Sequence, residues 1–163
     1  MSFTASKIAP CLWCNGNAEE MATFYVSLLP NSRITKVQRS PINTPGNKAG
    51  DVLVVTFELA GQGYMALNGN SEIPANHAVS FLINCEDQPE VDRVWDKIVA
   101  DGGKPVACGW ITDRFGVSWQ VCPKALSELV ADPDPARAAR AMQAMMTMVK
   151  IDVAAIKRAA DGD

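Results

Sequence analysis

The chain has 163 residues, of which 48% are hydrophobic and 20% are charged, and its net charge is −3. This length suits one domain with a substantial core, so we expect a single domain over residues 1–163. Lys and Arg are scattered, which predicts no nucleic-acid partner. The start of the chain lacks a signal-peptide pattern and no apolar stretch is long enough to span a bilayer, so we expect a cytoplasmic protein with no membrane partner.

The five cysteines are an odd number, which argues against a complete disulfide framework. Cys11 and Cys14 form a CxxC pair inside an apolar run that predicts a strand. Residues three apart on a strand face opposite sides, and the sequence has no second pair to complete a zinc knuckle. We therefore interpret the cysteines as free thiols, most of them packed as small hydrophobic side chains.

The first half of the chain has the pattern of one strand, one helix and three strands. The helix is indicated by Met21, Phe24 and Leu28, which recur at helical spacing. The strands are indicated by β-forming runs, of which the strongest is VLVVTF, and by a hairpin turn at 60–63. The predicted elements are strands at 7–14, 33–40, 51–59 and 64–68 and a helix at 18–29.

The second half repeats this order. Asp87 is the predicted N-cap of a helix whose first turn holds Pro89, and Gly102 follows its end. The predicted strands lie at 78–84, 105–107, 110–112 and 117–122. The chain is therefore predicted to be an α+β protein of paired βαβββ modules, with module one at 5–69 and module two at 77–123. Pairing the halves would bury more apolar surface than either half alone and leave a curved sheet with a concave side.

A helical tail is predicted over residues 124–160. Asp134 is the predicted N-cap of its second helix and Pro135 is the first helical residue. An apolar stripe on this helix is more typical of core or subunit contact than of an adaptable ligand groove. The residues of the stripe are Ala138, Met142, Met145, Met146 and Val149.

Four segments carry a resemblance to a known family. They are NGNAEEMATFY (15–25), the hairpin strands (52–68), CGWITDRFGVSWQ (108–120) and KIDVAAI (150–156). Together they resemble the PhnB-like branch of the glyoxalase/bleomycin-resistance (vicinal-oxygen-chelate) superfamily, which carries the family name 3-demethylubiquinone-9 3-methyltransferase. The resemblance implies paired βαβββ modules whose curved sheets form an open barrel, and it implies a homodimer.

The resemblance also implies where a metal would bind. In metal-dependent members, four side chains on the concave face hold a divalent ion. These positions fall on Pro10, Ala66, His77 and Gln120 in this sequence, and the first two cannot act as ligands. With only His77 and Gln120 left and no carboxylate, we expect no complete metal site, and a divalent metal stays an alternative cofactor.

The methyltransferase name is not supported by motifs. A Rossmann-type S-adenosylmethionine site needs a glycine-rich turn between a strand and a helix. The two turns of this kind are NGNAEE and CEDQPE, and neither is such a loop.

Strand alternation from the implied ligand positions predicts a pocket that is mostly apolar with a few polar groups, as is typical of sites for small organic molecules. Its predicted lining is Leu12, Tyr64, Asn68, His77, Phe81, Trp110, Ser118 and Gln120.

Three residues are candidates for catalysis. His77, the only histidine, could be a metal ligand or a general base, because imidazole exchanges protons near neutral pH, or it could be a structural residue at the start of a strand. Cys108 could be a nucleophile or a packing residue. Asp113 could be catalytic or a turn residue, and the turn is favoured.

Three functions remain open from the sequence. The first, which we favour, is the binding of a small organic molecule in the concave pocket without a complete metal site, with the reaction unknown. The second is a divalent-metal-dependent lyase, isomerase or dioxygenase with His77 and Gln120 among its ligands. The third is a non-catalytic dimer assembled through the helical tail.

Overall fold

The computed structural model describes residues 7–163, and the chain divides into two compact units between Pro74 and Ala75. Each unit contains one strand, one helix and three further strands in chain order, and three helices follow in the second unit. The α+β fold of repeated βαβββ modules with a C-terminal helical tail is therefore confirmed. None of the described helices is both long and apolar enough to cross a membrane.

The first unit is a four-stranded sheet with one helix on one face. Its strands follow the order β1-β4-β3-β2, in which β1 runs parallel to β4 and the other neighbours are antiparallel. The elements are β1 (Cys11–Cys14), α1 (Ala18–Val26), β2 (Arg33–Arg39), β3 (Val52–Leu59) and β4 (Gln62–Asn68).

Strand β1 begins at Cys11, four residues later than the sequence predicts. Pro10 precedes it, and proline has no N–H to give to a sheet. Its carbonyl still accepts a hydrogen bond from the Met65 amide at 3.0 Å. Cys11 is exposed and Cys14 is buried, so they lie on opposite sides as strand alternation predicts, and both thiols are free.

The second unit repeats the arrangement, with strand order β5-β8-β7-β6 and β5 parallel to β8. Helix α2 packs against β5 and β8. Its predicted N-cap is confirmed, because the Asp87 carboxylate accepts a hydrogen bond from the Glu90 amide at 3.0 Å. The elements are β5 (Ser80–Cys85), α2 (Gln88–Ala100), β6 (Lys104–Pro105), β7 (Trp110–Thr112) and β8 (Ser118–Pro123).

The tail consists of α3 (Lys124–Val130), α4 (Pro135–Met146) and α5 (Val153–Asp161), which share a small apolar core. Ala141, Ile151 and Ile156 are at its centre, and Met145 and Met148 pack against it. Met142, Met146 and Val149 are exposed in the single chain, so these three are not core residues, and their role in subunit contact stays a prediction. The inward face of α4 consists instead of Ala141, Ala144 and Met145, and Met148, just after the helix, continues the same spacing.

The tail is fastened to the start of α2 by one side chain. The Gln88 amide nitrogen donates to the Ile151 carbonyl at 3.0 Å, and its oxygen accepts from the Val153 amide at 2.8 Å. Nearby, the Lys150 ammonium lies 2.9 Å from the Asp92 carboxylate, which lowers the pKa of Asp92 and raises that of Lys150 through this hydrogen-bonded pair.

Candidate functional site on the second sheet

The two faces of the second sheet have different environments. On one face, Ile83, Ile111, Trp119 and Val121 are buried on the side that α2 covers. Register places the alternate residues on the other side, because directly paired residues share a face. We call this side the open face; it is defined by Ser80, Leu82, Asn84, Lys104, Trp110, Thr112, Ser118, Gln120 and Cys122.

His77 joins the open face through a hydrogen bond to β8. Its Nδ1 atom lies 2.7 Å from the Ser118 hydroxyl oxygen. The imidazole also meets the Trp110 indole edge-on, with ring centroids 6.1 Å apart. His77 is exposed, whereas Ser118 is only 1% exposed. Ser118 is therefore inaccessible as a nucleophile and holds the imidazole from below.

Phe81, which the sequence predicts on the same face as His77, lies instead on the face that α2 covers. Residues 77–79 form a turn, so strand alternation begins at Ser80 and not at His77. Phe81 consequently pairs with Trp119 on the α2 side, where the ring centroids are 5.2 Å apart. The predicted orientation of Phe81 is wrong because the turn shifts the in–out alternation of the strand by one residue.

Gln120 and Ser80 form the second hydrogen bond of the open face. The Gln120 amide nitrogen donates to the Ser80 hydroxyl oxygen at 2.9 Å. Gln120 pairs directly with Trp110 across the sheet, so its side chain stands beside the indole. The structure thus brings together His77, Trp110, Ser118 and Gln120 from the predicted lining, with Ser80 and Thr112 added.

Several polar atoms of this group have no protein partner among residues 7–163. They are the Nε2 atom of His77, the indole N–H of Trp110, the carbonyl oxygen of Gln120 and the hydroxyl of Thr112. None of these is a buried unsatisfied atom. An accessible set of mixed donors and acceptors next to an aromatic ring can bind the polar groups of a small molecule.

Leu12, Tyr64 and Asn68 do not face the open side of their own sheet. Tyr64 pairs with Phe57 and stacks on it at 5.5 Å, and Phe57 in turn contacts Tyr25 of α1. Leu12 shares the face of Cys14, whose thiol lies 3.7 Å from the Met21 sulfur of α1. The expected orientation of these residues is wrong because the register of the first sheet turns them toward α1.

Asn68 has a structural role that the sequence pattern does not indicate. Its side-chain oxygen accepts from the Ala18 amide at 3.0 Å, and its nitrogen donates to the Val52 carbonyl at 2.8 Å. Asn17, the residue before the helix, makes no side-chain capping bond. The acceptor for the first backbone N–H of α1 is therefore a side chain 50 positions away, which local sequence cannot reveal.

Asp113 organises the β7–β8 turn. Its buried carboxylate accepts from the backbone amides of Phe115 and Val117 at 2.9 and 3.0 Å and from the Trp119 indole at 2.8 Å. All of these contacts lie on the turn or on the α2 side of the sheet. Asp113 therefore stabilises the β7–β8 turn and does not lie on the open face.

Cys108 lies in a strained turn beside the tail. Its backbone is in the left-handed region, with φ of 53°, and its amide donates to the Met148 carbonyl at 2.8 Å. Its thiol has no hydrogen-bond partner in the part of the chain that the structure describes, so no Cys–His pair is formed there.

The donors on the open face do not fit a divalent metal. Ala66 is fully buried on the α1 side, and His77 and Gln120 each use one polar atom in a bond to a serine. Within residues 7–163, no three His, Cys, Asp or Glu side chains come together as a metal-binding group. Two neutral donors fall short of the three or more protein ligands that transition-metal sites generally use.

The comparisons with known proteins now identify the family. Residues 6–122 match the family model described as 3-demethylubiquinone-9 3-methyltransferase. The chain belongs to this family. The matched region includes both βαβββ modules almost completely, so the repeated fold is the family's own, and the three tail helices lie outside the match.

Solved structures include relatives of this 3-demethylubiquinone-9 3-methyltransferase family member. A PhnB protein from Bacillus cereus, described as a putative enzyme of that name, is 34% identical, with 72% of this chain and 99% of that chain covered and a TM-score of 0.64. Protein PA1353 from Pseudomonas aeruginosa is 22% identical, with 71% and 95% covered and a TM-score of 0.57.

A more distant solved structure also resembles the chain. The fosfomycin resistance protein FosX from Listeria monocytogenes, complexed with Mn(II) and sulfate, is 15% identical, with 73% and 88% covered and a TM-score of 0.40. A comparison with curated proteins gave no match. The family and the fold are therefore established.

Proposed function

We propose that this chain binds a small organic molecule on the open face of the second sheet. The observation that carries the proposal is the group of unpartnered polar atoms around Trp110: the His77 Nε2, the Gln120 oxygen and the Thr112 hydroxyl. The buried Ser118 hydroxyl holds the imidazole within this group and leaves its Nε2 atom accessible.

The chemistry of the group suits a ligand with both polar and apolar parts. The indole of Trp110 and the exposed side chain of Leu82 supply apolar contact. His77 can present either a donor or an acceptor at Nε2, because the tautomer depends on whether Nδ1 donates to Ser118 or accepts from its hydroxyl. The same imidazole is the group that would exchange a proton with a bound molecule.

Nuclear magnetic resonance tests this proposal directly. Benzamide, a neutral amide with an aromatic ring, is titrated into ¹⁵N-labelled protein while the Trp110 indole N–H signal is followed, with Trp110→Phe used to assign it. We expect a saturable shift of this signal and of the Ser80 and Gln120 amides. Gln120→Leu should weaken binding at least threefold, because it removes the carbonyl acceptor.

A matched substitution controls for a general surface effect. Gln143 lies exposed on α4 with no side-chain partner among the described residues, so Gln143→Leu makes the same chemical change far along the chain. Its affinity for benzamide should equal that of the wild type. Linear, non-saturating shifts spread over the surface, or equal affinity in Gln120→Leu, would refute the proposed site.

A further inference from the structure

A polar row crosses the second sheet and ends in a lysine. Ser80 pairs with Ser118, Ser118 with Thr112, and Thr112 with Lys104. Direct partners share a face, so all four side chains stand on the open face at one level, with His77 bonded to the middle of the row. Neighbouring strands lie about 4.8 Å apart, so the row spans roughly 14 Å between the outer backbones.

Lys104 brings an uncompensated charge to this row. Its ammonium has no ion pair or hydrogen bond with any of residues 7–163, whereas Lys124 pairs with Glu86 and Lys150 pairs with Asp92. The open face holds no acidic residue, because Asp113 is turned toward the Trp119 indole on the other side. The row therefore combines one free cation with three hydroxyls and an imidazole.

We propose that the molecule bound on the open face is an organic anion with a single negative charge, of the carboxylate class, and that Lys104 is the residue that selects it. This inference rests on the proposed function and adds the charge of the ligand. The flexible four-carbon stem of Lys104 lets the ammonium lean over Thr112 toward the centre of the row, where the Thr112 and Ser80 hydroxyls can donate to a carboxylate.

The next row along the strands accommodates the rest of the ligand. This row consists of Leu82, Gln120 and Trp110, in which Gln120 pairs directly with the other two. Each lies two residues from a member of the polar row on its own strand. Two residues of strand span about 6.7 Å, so a carboxylate on the polar row puts an attached apolar group against Leu82 and the indole. The ligand class is therefore a small carboxylate with an aromatic or branched apolar group next to its charge.

The experiment compares benzoate with benzamide, which share a ring and differ in charge. In 20 mM salt, wild-type protein should bind benzoate more tightly than benzamide, with the Trp110 indole signal as the reporter. Lys104→Gln should weaken benzoate binding roughly fivefold and leave benzamide binding unchanged, as expected for one ion pair at a partly exposed site. Raising the salt to 300 mM should weaken benzoate binding alone.

Lys157→Gln is the matched control, because Lys157 is exposed on α5 and has no partner among the described residues. It removes the same charge and should change neither affinity. Equal affinities for both probes, or benzoate binding that survives Lys104→Gln, would overturn the role of Lys104 while leaving the proposed site intact. If neither probe shifts the Trp110 signal in the wild type, the proposed function itself fails and this inference fails with it.

Discussion

The Nδ1 atom of His77 lies 2.7 Å from the Ser118 hydroxyl oxygen, although the two residues are 41 positions apart. One of the pair is exposed and the other is almost completely buried. A buried hydroxyl that serves an exposed imidazole fixes the ring orientation and leaves Nε2 accessible. Since the chain has one histidine, the consequences of this bond can be measured without overlap from other imidazoles.

Ser118→Ala should release the imidazole without unfolding the protein. The imidazole Nδ1 nitrogen should move by several ppm in a long-range ¹H–¹⁵N spectrum, and the free energy of unfolding should fall by about 1 kcal/mol, as for one ordinary hydrogen bond. Ser127→Ala, on the exposed side of α3, is the control and should leave the imidazole signals in place. Unchanged nitrogen shifts in Ser118→Ala would show that this bond does not form in solution.

Asp113→Ala should be among the more destabilising single substitutions in the second unit. It leaves the amides of Phe115 and Val117 and the indole N–H of Trp119 without their acceptor. Hydrogen bonds to a charged acceptor contribute about 1.5–3 kcal/mol each, and losses within one network are not additive, so we expect a loss of about 3 kcal/mol in urea denaturation.

The control for Asp113 is Asp96→Ala, which removes an exposed carboxylate with a single 3.4 Å contact to Lys150. That substitution should cost under about 0.5 kcal/mol. If Asp113→Ala costs no more than its control, the buried carboxylate is not what holds the β7–β8 turn.

Gly69 leaves room for the Trp13 indole. A Cβ atom at position 69 would lie 1.9 Å from the Trp13 ring, and the ring is further held by its N–H, which donates to the Ser71 carbonyl at 2.9 Å. Gly69→Ala should therefore lower the free energy of unfolding by about 2 kcal/mol and move the indole signal of Trp13. In a Trp13→Leu background the same substitution should cost much less, and the double-mutant cycle should give a coupling of over about 1 kcal/mol. A coupling near zero would mean that the two residues do not touch.

The buried thiol of Cys85 should make stability fall at alkaline pH. Burial raises the pKa of Cys85 to about 12, with a further rise from nearby Glu90. The unfolded thiol ionises near pH 8.5, so the folded state keeps its proton while the unfolded state loses it. This contribution is complete below pH 8.5 and is lost as the pH rises toward 12.

Between pH 8 and pH 9.5, the thiol of Cys85 should account for a loss of about 1 kcal/mol in the free energy of unfolding. The Cys85→Ala variant, although less stable at pH 7, should show a shallower decline over this interval in guanidinium titrations. Cys11→Ala is the control, since Cys11 is exposed and its variant should retain most of the wild-type slope. Parallel declines in wild type and Cys85→Ala would contradict the protonated, buried thiol.

The sequence by itself determined the order of elements. Periodicity, turn residues and the cap residues Asp87 and Asp134 are local signals, and the structure confirms both caps and both βαβββ modules. The same local signals predicted only part of the residue group that the structure brings together. Trp110, Ser118 and Gln120 do lie together, because β7 and β8 pair in a hairpin whose alternation can be read directly, and His77 joins them through its long-range bond to Ser118.

Only the tertiary structure decided which way the remaining residues face. The Asn76 side chain accepts a hydrogen bond from the Ala78 amide at 2.9 Å, which closes a turn over 77–79 and shifts the phase of β5 by one residue. A strand alternates with a period of two, so one such residue moves Phe81 to the opposite face. Likewise Asn68 was assigned to a pocket and instead caps α1, because the unsatisfied amide it serves is brought to it only when the chain folds.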